Sequence, residues 1–166
     1  MKHHLISLLA VLCLSTVGYS QEHPLSAFEN LMNKTWTIEG KWNGGPEFKQ
    51  ELTFEYGLNK NIVIAKTKGC TDEAQTVFGD RNYGIRHYNP QDSSISFYEF
   101  DIMGNVTKGE VGIIGQDIGY VYEYGGTVLL ELWSYVSEEE YTYQVGRYLD
   151  GNFDGVFLDA KAFAKR

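Results

Sequence analysis

From Thr35 onward, apolar and polar residues alternate along the chain in short runs separated by turn-forming residues. Trp36, Ile38 and Trp42 share one parity, and Thr35, Thr37, Glu39 and Lys41 share the other. Phe48, Leu52, Phe54 and Tyr56 then alternate with Lys49, Glu51, Thr53 and Glu55. A period of two places successive side chains on opposite faces of a strand. Further runs cover Ile62–Lys68, Thr76–Tyr88, Ile95–Asp101, Lys108–Ile114, Ile118–Tyr124, Thr127–Val136, Glu140–Tyr148 and Val156–Ala164. Asn43-Gly44-Gly45-Pro46, Asn89-Pro90, Gly104-Asn105, Gly125-Gly126 and Asp150-Gly151 punctuate them. Only Leu25–Met32, preceded by Pro24, shows helical spacing, with Leu25, Phe28 and Leu31 on one face.

The pattern predicts about ten strands joined mostly by tight turns. No helical crossover is present, and parallel strands need one. The expected fold is all-β: a single antiparallel up-and-down β-barrel of about ten strands with a short N-terminal helix. A β-sandwich is the alternative. Closure into a barrel removes edge strands. An interior of that width is either filled by side chains or hollow.

A short helix, a first strand with an early Trp, and a meander running to the C-terminus resemble the calycin group. This group comprises lipocalins, fatty-acid-binding proteins and lipocalin-like domains of secreted bacterial proteins. The stretches that carry the resemblance are Leu31–Trp42 (LMNKTWTIEGKW), Phe97–Val106 (FYEFDIMGNV) and Gly146–Gly155 (GRYLDGNFDG). It implies a small, mostly apolar ligand, lipid or fatty-acid-like, held inside the barrel. Fatty-acid-binding proteins hold a carboxylate with inward Arg and Tyr, and Arg147-Tyr148 is similar in placement.

The first twenty residues stand apart. Lys2 precedes an apolar run from Leu5 to Leu14, and small residues at Gly18 and Ser20 precede Gln21. This is the pattern of a secretory signal peptide over 1–20, too short for a membrane span. It leaves 21–166 as one lipocalin-like barrel domain in a secreted or periplasmic protein. Cleavage removes Lys2 and no acid, leaving 13 basic against 22 acidic residues. That balance argues against nucleic acid and anionic membranes as partners. Only Cys70 remains, so an internal disulfide is excluded. It sits in a polar loop with two acids nearby, surroundings unlike those of a nucleophilic thiol.

Phe, Trp and Tyr number 24 in all, 12 of them Tyr, which suits an apolar pocket with a few polar anchors as well as an ordinary β core. The candidate ligand-binding residues are Trp36, Trp42, Phe54, Phe97, Tyr143 and Arg147, with Tyr83 and His87 beside them. Arg147 shares parity with Tyr141, Tyr143 and Val145. An inward arginine needs an acid such as Glu99 or Glu131, or a ligand anion. The densest polar stretch is Gly79–Tyr88 (GDRNYGIRHY). Strand parity splits it, with Tyr83, Ile85 and His87 on one face and Asp80, Asn82, Arg86 and Tyr88 on the other. Gly79 and Gly84 suit the bend of a barrel wall. His87 reads as a haem ligand by analogy with haem-binding calycins, as a general base, or as a hydrogen-bonded wall residue. An isomerase or cyclase on the same barrel, using His87 or Glu99 as acid or base, is the alternative function. A filled barrel serving as an interaction module is the third.

Asp150-Gly151-Asn152-Phe153-Asp154-Gly155 resembles the opening of a calcium loop, but Lys161 stands where a bidentate Glu is required. An Asp-Gly hairpin explains the same letters. The known serine, zinc, thiol and phosphate-loop motifs are absent. No catalytic residue, metal or cofactor is assigned.

Overall fold

The computed structural model of the protein describes residues 23–72 and 74–165. The expected signal peptide, 1–20, lies outside the described residues. A 3₁₀ helix, Ser26–Leu31, leads into ten strands. They are β1 (Thr35–Trp42), β2 (Glu47–Gly57), β3 (Ile62–Cys70), β4 (Phe78–Asn89) and β5 (Ser94–Asp101). β6 (Val106–Ile114), β7 (Asp117–Tyr124), β8 (Thr127–Ser137), β9 (Glu140–Leu149) and β10 (Asn152–Lys165) follow. Each strand pairs antiparallel with the next, and β1 pairs with β10 through eight residues to close the barrel. The up-and-down barrel expected from the alternation is therefore present. The Asp150–Gly151 turn has φ of +50° and +84°. Those values match a two-residue hairpin loop whose twist suits the flanking strands. Among the described residues no group of His, Cys, Asp or Glu is arranged to hold a metal ion.

The interior is filled at one end and hollow at the other. The 3₁₀ helix plugs the end where β1 begins, burying Leu25, Phe28 and Leu31. Its carbonyls are used as anchors. Trp36 Nε1–H donates to Leu31 O at 3.1 Å, and Tyr56 O–H donates to Leu25 O at 3.0 Å. Asn30 Nδ2 donates to the Tyr141 hydroxyl at 3.1 Å. Above the plug, Trp36 packs edge-on against Tyr141 and Trp133, with centroids 5.2 and 6.3 Å apart, and Phe54 packs against Trp133 at 5.9 Å. Edge-to-face geometry of this kind adds to the gain from burial. Trp36 and Phe54, named from the sequence as pocket candidates, are thus part of the solid half.

Candidate functional site

The other half of the barrel encloses a cavity of about 600 Å³, open at the end opposite the helix. One side of its wall is apolar: Trp42 from β1, Phe48 from β2, Val145 from β9, and Phe157 and Leu158 from β10. The facing side carries Asn82 and Arg86 from β4, Glu99 from β5, Tyr120 and Tyr122 from β7 and Glu131 from β8, while Tyr143 from β9 stacks on Phe48 at the apolar side.

The register of β4 and β5 builds the polar wall. Gly84 lies directly opposite Glu99, and Arg86 is the next inward residue along β4. With no side chain at Gly84, the Arg86 guanidinium folds back over it; a Cβ there would stand 2.1 Å from Nη1. Arg86 is 3% exposed. Its Nε donates to the Tyr120 hydroxyl at 3.2 Å, and its Nη2 donates to Glu99 Oε2 at 3.5 Å. The guanidinium also lies over the Tyr120 ring, 4.9 Å from the centroid. Asn82 Nδ2 donates to the other Glu99 oxygen at 2.7 Å. Two buried atoms of this network, Arg86 Nη1 and Asn82 Oδ1, have no hydrogen-bond partner. Burial pulls the Arg86 pKa down, but Tyr120 and Glu99 more than offset it, so the side chain stays charged.

Glu131 is a second inward carboxylate, paired across β7–β8 with Tyr120. It accepts a 3.3 Å hydrogen bond from Trp133 Nε1, and Tyr143 lies near it. Among the described residues no cation forms an ion pair with it. Burial, then repulsion from Glu99, push its pKa up to about 7. Burial, and after it Glu131, likewise raise Tyr122 and Tyr143, so both phenols stay protonated at neutral pH.

Of the residues named from the sequence, Trp42, Phe97 and Tyr143 line the cavity. Tyr83 and His87 lie on the outer face of β4, and Tyr83 is 43% exposed. The inward face of that stretch is the one with Asn82, Gly84 and Arg86. His87 therefore reaches nothing inside the barrel, neither a haem nor a substrate in the cavity. Arg147 belongs to the inward parity of β9 but sits at the rim, beyond the last buried layer. There its Nε donates to Asp154 O at 3.1 Å and lies 3.3 Å from Asp154 Oδ2. The inward arginine that needs an acid is Arg86, and the acid is Glu99. Glu131, Tyr120 and Tyr122 were not singled out as site residues. Glu131 lies in an apolar run of β8 (VLLELW), where a lone acid on a strand with buried neighbours was the available signal.

No family model matches the chain, and no curated protein matches it. Solved structures share its fold. Rv2717c from M. tuberculosis aligns with a TM-score of 0.51 at 11% identity, over 86% of this chain and 98% of its own. The S-type phycobiliprotein lyase CPES from Guillardia theta aligns at 0.50 and 8% identity, over 85% and 90%. A redesigned β-barrel aligns at 0.46 and 12%, over 84% and 96%. At these identities the likeness is one of fold.

Proposed function

We propose that the protein is an exported binding barrel that takes a small, mostly apolar, ring-bearing ligand into the open half of its interior. The observation that carries this reading is the cavity itself. A volume of about 600 Å³ suits a small molecule, and its wall combines aromatic rings with a few convergent polar groups. A fatty acid is the poorer occupant of such a site. Its carboxylate would find Arg86 already bonded to Glu99 and would face Glu131 as well. Export rests on the pattern of residues 1–20; the N-terminal sequence of the purified protein, beginning at Gln21, is the expected result.

The cavity is tested with N-phenyl-1-naphthylamine, an uncharged dye that brightens in apolar surroundings. A saturable rise in fluorescence with one site per chain is expected. Leu129→Trp, which fills space on the cavity wall, should abolish it. A wild-type protein that gives no saturable signal would remove the binding reading.

A further inference from the structure

Resting on the cavity reading above, we infer that the ligand's polar group is a cation, a protonated or quaternary amine carried on an aromatic body, and that it docks between the Glu131 carboxylate and the rings of Tyr122 and Tyr143. Five charged side chains line the cavity: Arg81, Arg86, Glu99, Asp101 and Glu131. Two arginines face three carboxylates, so the cavity falls one positive charge short of neutrality. The assignments within it show which carboxylate is left over. Arg86 is bound to Glu99 and Tyr120. Arg81, at the rim, donates to the Cys70 carbonyl. Asp101 accepts bonds from Met103 N at 2.9 Å and from Asn105 N at 2.8 Å in the β5–β6 turn. Asp101 also lies within reach of the Arg81 charge, whereas the hydrogen-bond donor to Glu131 is the neutral Trp133 indole and, among the described residues, no cation forms an ion pair with it.

The surroundings of that carboxylate suit an organic cation on two counts. An ammonium group pairs with Glu131 at short range, where the protein's low dielectric strengthens attraction. The faces of tyrosine rings attract it further. An anion in the same place meets two carboxylates and gains only a share of an arginine already engaged. Over the whole chain, 22 acidic residues against 14 basic draw cations toward the protein and repel anions.

The groups facing Glu131 are Glu99 on β5, Arg86 on β4, Tyr120 and Tyr122 on β7, Trp133 on its own strand and Tyr143 on β9. Of these only Glu131 has its titration brought near neutrality, its pKa pushed up to about 7. A ligand whose charge is fixed should therefore bind more tightly as pH rises from 6 to 8, because it meets an ionised Glu131 at the upper end.

Three probes with one ring system separate the head groups: (2-naphthylmethyl)trimethylammonium, 2-naphthalenemethanol and 2-naphthoate. Each is titrated into the full-length mature protein by calorimetry at pH 6 and pH 8. The ammonium compound should bind about tenfold or more tightly than the alcohol at pH 8, with 2-naphthoate the weakest. Its advantage over the alcohol should shrink at pH 6. In Glu131→Gln the ratio of ammonium to alcohol affinity should fall to near one and lose its pH dependence; this nearly isosteric change keeps the fold. If the alcohol binds and the ammonium compound is no tighter, or 2-naphthoate is the tightest, the cation inference is overturned while the cavity reading stands. If none of the three binds and N-phenyl-1-naphthylamine does not either, both are overturned.

Discussion

A methyl group at Gly84 would stand 2.1 Å from Arg86 Nη1 and 3.1 Å from Glu99 Oε2, so the absence of one shapes the polar wall. The guanidinium occupies that space, bonded to a Glu99 carboxylate whose side chain is 26% exposed. Removing one member of a buried pair strands the other, which costs more than the pair contributes. Arg86→Met should therefore destabilise the protein by about 2–4 kcal/mol, and the double change R86M/E99Q should recover most of that loss; urea unfolding measures both. Glu131 has the opposite character. Its folded pKa is raised from 4.5 to about 7. Between those values the folded state keeps a proton that the unfolded chain has released, so stability falls as pH rises through this window and is level above it. The fall should be about 3 kcal/mol and should be missing in Glu131→Gln, as read from urea unfolding at pH 5, 6, 7 and 8. The carboxylates whose pKa values are lowered, Glu39, Asp72, Asp92 and Asp101, are largely ionised in both states above pH 5 and leave the fall there undisturbed. Parity in the sequence placed Arg86 and Arg147 on definite faces of their strands. It could not say how far along the barrel axis each lies. That height separates a buried guanidinium beside Glu99 from a rim guanidinium on Asp154.

The strands were legible because each is half-buried, so alternation records which face meets the interior. The ends of the strands were less so. β10 begins at Asn152, four residues before the alternation starts at Val156, because register shifts near Val156 and a positive φ at Gly155 interrupt the period there. The N-terminal segment was legible as helical, but it is a 3₁₀ helix of six residues, closed by bonds such as Phe28 N–H to Leu25 O at 3.2 Å. So short a helix has little stability of its own and depends on what it covers. That dependence makes it a direct probe of how the closed half is held. Phe28 is fully buried in the plug. Phe28→Ala should cost about 3–5 kcal/mol, since the lost ring leaves a cavity in the core that its neighbours fill only in part. Tyr56→Phe, which removes only the hydroxyl donating to Leu25 O, should cost about 1 kcal/mol. Comparable losses from the two changes in urea unfolding would mean that the plug is held by its carbonyls rather than by its apolar face.

At the scale of the molecule, one seam decides whether there is a cavity at all. Nine of the ten strand pairings join neighbours in sequence and could form a curved open sheet; only β1 with β10 closes it. The seam pairs Thr35–Trp42 with Lys165–Leu158, and its inward residues include the buried Ala160 and Ala162. Gly40 and Ala160 meet there so closely that a Cβ on Gly40 would lie 2.3 Å from that of Ala160, so the seam is packed backbone to backbone. A chain ending at Asp159 keeps only the last two of the eight β1–β10 pairs, Lys41 with Asp159 and Trp42 with Leu158. It also leaves the start of β9 without its β10 partners from Tyr143 back to Glu140, and exposes Trp36 and Tyr141 to solvent. Unpaired edges beside apolar surface recruit other chains. The truncated protein should lose its cooperative unfolding transition and elute as aggregate in size-exclusion chromatography with light scattering. The untruncated chain should remain a discrete species under the same conditions. A truncated chain that stayed discrete and unfolded cooperatively would show that the remaining nine pairings hold the sheet in its curved form without the seam.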